Sequence, residues 1–143
     1  MPVNGWTLYA SPNFDAQIRR LADKIDAAGV TGSEGRAKLL ASINKLILEI
    51  IPADPSAPQF RQGNTLGKDN RHWFRAKFHE RYRLFFRFST RDKVIVYAWL
   101  NDEATLRKSG SKTDPCALFE AMLKAGDPPG SMEQLLAVSR KMS

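Results

Sequence analysis

The chain has 143 residues, enough for one domain with its own core, and its hydrophobic content of 43% is too high for a disordered segment. No stretch approaches the roughly 18 consecutive apolar residues of a membrane span, the start "MPVNGWTLYASPNF" lacks a basic region followed by an apolar one, and one cysteine, Cys116, allows no intrachain disulfide, so a cytoplasmic protein is expected. The net charge of +7 is concentrated: residues 71–93 hold Arg71, Arg75, Lys77, Arg81, Arg83, Arg87, Arg91 and Lys93 against Glu80 and Asp92, eight minus two or +6, which points to a polyanionic partner.

In chain order, "SPNF" opens a helix over about 12–28, with Ser11 as cap and Pro12 in the first turn. Phe14, Ile18, Leu21 and Ile25 form its apolar stripe, and Gly29 and Gly32 end it. A second helix follows over about 34–51, with Ala37, Leu40, Ile43, Ile47 and Ile50 on its apolar face and Pro52 as its stop. The short link between them predicts an antiparallel helical hairpin. Residues 52–71, rich in Pro and Gly, read as irregular, with room for a short edge strand near Phe60 or Leu66. Three strands are predicted within about 72–100: "HWFRAKF", "RYRLFFRF" and "KVIVYAWL". Their short connections make neighbours antiparallel. Two C-terminal helices are predicted over about 114–142, the first capped by Asp114 and ended by Gly126, the second opened by Ser131 and Gln134 in capping-box spacing. The expected class is α+β, a single domain over residues 1–143 with helices packed on a small, mostly antiparallel twisted sheet.

Alternation divides the first two strands into faces. Phe74, Ala76, Phe78, Tyr82, Leu84, Phe86 and Phe88 share one parity and require cover. Trp73, Arg75, Lys77, Arg81, Arg83, Phe85 and Arg87 share the other. Cations interleaved with rings suit single-stranded RNA: Arg81 and Arg87 would hold phosphate, and Trp73 and Phe85 would stack on bases. The competing account is a solvated face whose cations keep the sheet edge soluble. The third strand is apolar on both faces, and its register leaves Tyr97 and Trp99 free to join either.

The long motifs "WFRAKF", "RYRLFFR", "VIVYAWLNDEATLR" and "GSKTD", with "VNGWTLYASPNF" and "PSAPQFRQGNTLG" before them, resemble the YhaV family of type II toxins within the RelE-like ribonuclease group. The resemblance covers nearly the whole chain. It implies a RelE-like fold and metal-independent cleavage of mRNA on translating ribosomes, with no cofactor. It also implies an acidic antitoxin of the PrlF type with an AbrB-like DNA-binding part, the pair binding its own promoter. Carried over residue by residue, the paired basic positions fall on Arg75 and Lys77, and the arginine of the Tyr-Arg-Leu motif on Arg83. The arginine after the last strand falls best on Arg107, with Lys108 or Lys112 as the alternatives. Cys116 stands where the family pattern usually has tyrosine, which puts that residue's role in doubt here.

Metal-free RNA cleavage needs a base for the ribose 2′-hydroxyl, cations for the charge-rich transition state and an acid for the leaving oxygen. Arginines stabilise charge but make poor bases. Lys77 would act as a base only with a depressed pKa, and His79, of the same parity, is the better-tuned candidate. Asp102 and Glu103, where the last strand ends, and Tyr97 are further candidates for acid, base or orienting roles. Asn101 or Asp102 equally suits a capped turn. No metal-binding spacing is present. The alternatives to a ribonuclease are a non-cleaving RNA- or ribosome-binding module and an inactive relative acting through an antitoxin complex.

Overall fold

The computed structural model describes residues 3–32, 34–63, 66, 68–79, 82–101 and 115–142. Asn4 and Gly5 take φ of 51° and 85°, the pair of positive values that a two-residue hairpin turn requires. Val3 and Trp6 exchange backbone hydrogen bonds of 2.8 and 2.9 Å across it. The turn launches strand β1 (Thr7–Ala10), which the sequence reading did not assign.

Helix α1 (Pro12–Gly32) runs beyond Gly29. Ser11 caps it, its Oγ accepting from Phe14 N at 3.3 Å. Helix α2 (Glu34–Lys45) continues without a break into a π turn (Leu46–Ile50) and a last helical turn (Ile51–Ala53). Ile51 N donates to Leu46 O, one residue further back than in an α-helix. That wider turn releases the carbonyl of Ile47, and the buried hydroxyl of Tyr97 donates to it at 2.7 Å. A 3₁₀ turn (Pro58–Phe60) and an isolated bridge between Arg61 and Phe74 stand where an edge strand was expected.

Strands β2 (Phe74–Phe78), β3 (Tyr82–Ser89) and β4 (Val94–Leu100) form an antiparallel meander. Beyond the connection, helices α3 (Pro115–Lys124) and α4 (Met132–Val138) follow, then strand β5 (Arg140–Lys141). Asp114, the expected cap of α3, lies outside the described residues, whereas Ser131 Oγ accepts from Gln134 N at 3.1 Å at the start of α4. The last helix stops at Val138, short of the expected end near 142, because Arg140 and Lys141 pair with Ala10 and Tyr9 instead. The sheet order is β2-β3-β4-β1-β5, with β1 parallel to β4. The described residues therefore make a mixed α+β fold with a five-stranded sheet.

The sheet has a core on each face. Against the first face, Phe14, Leu39, Ile43, Leu46, Ile47 and Ile51 from α1, α2 and its continuation pack on Ala76, Leu84, Phe86, Ile95 and Tyr97. Against the second, Phe119 and Cys116 of α3 and Leu135 of α4 pack on Trp73, Phe85, Val96, Ala98 and Trp99. A β-bulge settles the register of β4. Phe85 pairs with Trp99 and Phe86 with Tyr97, so Ala98 is the extra residue. Tyr97 thus joins the first face and Trp99 the second. Ser11 Oγ donates to the Ala98 carbonyl at 2.6 Å, and Gln17 brackets Leu100, Nε2 donating to its O at 2.6 Å and Oε1 accepting from its N at 3.1 Å.

This placement removes Tyr97 from the list of acid–base candidates. It is fully buried under α1 and α2, and burial pushes its pKa far above the ordinary phenol value. Tyr97→Phe is expected to lower stability by about 1–3 kcal/mol, the cost of leaving Ile47 O unsatisfied, while cleavage is unchanged. Urea unfolding beside an RNA-cleavage assay checks both halves.

Candidate active site

The second face of the β2–β3 hairpin carries the basic residues, and pairing fixes their order. Lys77 lies opposite Arg83, and Arg75 opposite Phe85. Phe85 divides the row. Its ring stacks on Phe119 at 4.5 Å and 9°, and both lie nearly parallel to Trp99, each at 6.0 Å. Trp73 closes the cluster edge-on to Phe119 at 5.1 Å. Trp73 and Phe85 are 0% exposed. They are core residues and not the base-stacking surface that alternation suggested, because α3 lies over them.

Arg87 belongs to this closed half. Its Nη1 donates to Gly130 O at 2.9 Å, its guanidinium lies 5.4 Å from the centre of the Trp73 ring, and burial draws its pKa down. It ties the loop before α4 to the sheet.

Arg75, Lys77 and Arg83 form the open half. Lys77 is exposed, and Arg75 and Arg83 are half-buried. Arg75 Nη1 donates to Cys116 Sγ at 3.3 Å, and its buried Nε has no hydrogen-bond partner among the described residues. Cys116 is itself buried, as a small packing residue should be. Arg83 Nη1 donates to Tyr82 O at 3.0 Å. Its main chain is held by Asn101, whose Oδ1 accepts from Arg83 N at 2.6 Å.

His79 does not join them. Strand β2 ends at Phe78, and His79 takes φ of 46°, so parity no longer applies. Its Nε2 is 2.7 Å from Ser42 Oγ of α2, on the first-face side of the sheet. Arg81, Asp102, Glu103, Arg107, Lys108 and Lys112 lie outside the described residues. The chain nevertheless enters 102–114 from Asn101, beside Arg83, and leaves it at Cys116, beside Arg75. Among the described residues, no three His, Cys, Asp or Glu side chains are grouped to hold a metal, and no helix is long and apolar enough to cross a membrane.

Sequence reasoning missed Asn101 as the clamp on Arg83 and Gln17 as the bracket on Leu100. The signal available for Asn101 was a polar side chain directly after an all-apolar strand, which fits a turn cap equally well. For Gln17 it was a lone amide close to the apolar stripe of α1.

Residues 8–140 match the family model for YhaV toxins, described as a toxin with endonuclease activity, of a toxin–antitoxin system. The chain belongs to the YhaV toxin family. It is 46% identical to Toxin YhaV of Escherichia coli O6:H1 (strain CFT073) over 140 residues, which cover 93% of this chain and 91% of the relative. It is 45% identical to Ribonuclease toxin YhaV of Escherichia coli K12, with the same coverage of both chains. No solved structure matches the chain. As a YhaV toxin it is an endonuclease of a toxin–antitoxin system, which implies an antitoxin partner.

His72 supplies a pH test of the closed half. Desolvation, and then the charge of Arg87, lower its pKa below the usual 6.5. The folded state thus resists a proton that the unfolded chain accepts, so its contribution is intact above the unfolded pKa and is lost as pH falls through the interval below it. His72→Gln should flatten the decline in urea midpoint between about pH 7.5 and about pH 5.5. Parallel wild-type and variant curves would show that His72 carries none of it.

Proposed function

We propose that this toxin is a metal-independent endoribonuclease that cleaves mRNA on the translating ribosome, with Arg75, Lys77 and Arg83 as its phosphate-binding centre. The observation that carries the reading is the cross-strand pair of Lys77 and Arg83, with Arg75 two residues along the same face of β2. Three cations on two hydrogen-bonded strands hold their spacing without help from loops, as preorganised transition-state stabilisation requires. In the proposed reaction the ribose 2′-oxygen attacks the adjacent phosphorus and the 5′-oxygen leaves. The arginines take up the charge that develops on the phosphoryl oxygens. Lys77 adds a third positive charge from the solvent side, in an electrostatic role. Arg107, with Lys108 and Lys112, extends the RNA track, and Asp102 or Glu103 serves the proton transfers. Arg81 continues the track along the hairpin.

The K12 relative is named a ribonuclease toxin, which supports RNA as the substrate. The packing of α1 and α2 against one face of the sheet supports the RelE-like arrangement. The same basic cluster suits an acidic antitoxin segment, of the PrlF type with an AbrB-like DNA-binding part, that silences the toxin by covering it and lets the complex bind its promoter. The cytoplasm, where mRNA is translated, is the compartment this reading requires.

Cell-free translation with primer-extension mapping of mRNA 5′ ends tests the reading, with ribosomes omitted in a parallel reaction. Arg83→Ala is expected to reduce new ends by about a hundredfold or more, and Lys77→Arg to retain activity within about tenfold of wild type. Translation arrest with intact mRNA would instead mark a binder that does not cut. Changing Arg75, Lys77 and Arg83 together to Ala should abolish capture of the antitoxin; undiminished capture would place the antitoxin elsewhere.

A further inference from the structure

Asn101 is fully buried, at 0% exposure, one residue past the end of β4. Leu84 and Leu100 are the last paired residues of the β3–β4 ladder in this direction. Arg83 therefore has its N–H and C=O turned toward a place where β4 has already ended. Asn101 fills that place. Its Oδ1 accepts from Arg83 N at 2.6 Å, and its own N lies 3.4 Å from Arg83 O. The first contact is short for an N–H···O bond and the second is long, so the side chain is the firmer of the two holds. Behind it, Gln17 of α1 brackets the backbone of Leu100. A buried polar chain thus runs from α1 through the end of β4 to the main chain of Arg83.

We propose that Asn101 is a positioning residue for RNA cleavage: its side-chain amide extends the sheet by one position and so fixes the backbone from which Arg83 reaches the phosphate. This rests on the assignment of Arg83 to the phosphate. An arginine on a fraying strand end would still bind RNA through its charge but would place its fork poorly in the transition state. The expected signature is a loss in kcat with KM little changed. Asn101→Asp keeps an acceptor for Arg83 N–H, whereas Asn101→Ala removes it.

The test is single-turnover cleavage of an RNA oligonucleotide, or ribosome-loaded mRNA if free RNA is not cut, well below the melting point of every variant. Asn101→Ala is expected to lower kcat by about ten- to a hundredfold with KM within about threefold, and Asn101→Asp to recover most of that loss. Tyr97→Phe, which breaks a buried hydrogen bond on the opposite face of the sheet, serves as the stability-matched control and should cleave normally. In the Arg83→Lys background, where the bidentate fork is already gone, adding Asn101→Ala should cost much less than it does alone. Equal cost in both backgrounds, or equal loss with Tyr97→Phe, overturns the proposal in favour of a general role in folding. Normal cleavage by Asn101→Ala overturns it outright. Normal cleavage by Arg83→Lys and Arg83→Ala would overturn the assignment of Arg83 itself, and the proposal with it.

Discussion

One extra residue in β4 governs the architecture. Had the strand kept strict alternation opposite β3, Tyr97 and Trp99 would have faced the same way. The bulge at Ala98 instead sends Tyr97 toward α1 and α2 and Trp99 toward α3. Each then anchors the cover on its own side, Tyr97 by its hydrogen bond to the π turn after α2 and Trp99 by its parallel packing on Phe119. A bulge leaves backbone polar groups outside the ladder, and buried ones must be satisfied. Ser11 takes the Ala98 carbonyl, and Gln17 takes both groups of Leu100. The first turns of α1 are thus bonded to the irregular end of the strand, and that is the end on which Arg83 depends.

The aromatic cluster on the second face divides the row of cations. Phe85, Trp73, Trp99 and Phe119 form a dry block beneath α3. Arg87 lies on one side of Phe85, bonded to Gly130 and laid against Trp73. Arg83 and Lys77 lie on the other side as a cross-strand pair. Arg75 sits at the boundary, with one nitrogen on Cys116 and another without a partner among the described residues. Alternating arginine with phenylalanine therefore lets one strand face do two jobs. The rings hold the C-terminal helices down, and Lys77 at the far end of the face stays exposed.

Much of this was legible in the sequence, and the failures have identifiable causes. Period-2 and helical patterns located β2, β3, β4 and the principal helices, because each has a strong apolar face. The apolar parity of Phe74, Ala76, Leu84 and Phe86 matches the core beneath α1 and α2. Strand β1 was missed because it has four residues and β5 because it has two; neither is long enough for a periodic signal, although the Asn4–Gly5 turn announced the first. Trp73 and Phe85 were assigned to RNA because alternation shows that residues share a face and says nothing of what covers it. His79 was grouped with Lys77 by a parity that ended one residue earlier. The bulge could not be read at all, since an extra residue in an all-apolar strand leaves no trace in its pattern.

The covering helix also bears on the chemistry. Helix α3 reaches the site through its first turn, where Cys116 meets Arg75, and through its centre, where Phe119 meets Phe85 opposite Arg75. The guanidinium of Arg75 is therefore held between the strand that carries it and the helix that covers it, with the rotamers of both partners limited by packing. Arg83 is held differently, at its main chain, by Asn101. Two arginines fixed by unrelated contacts, one to the C-terminal helix and one to the strand end, share a face of the hairpin with the exposed Lys77.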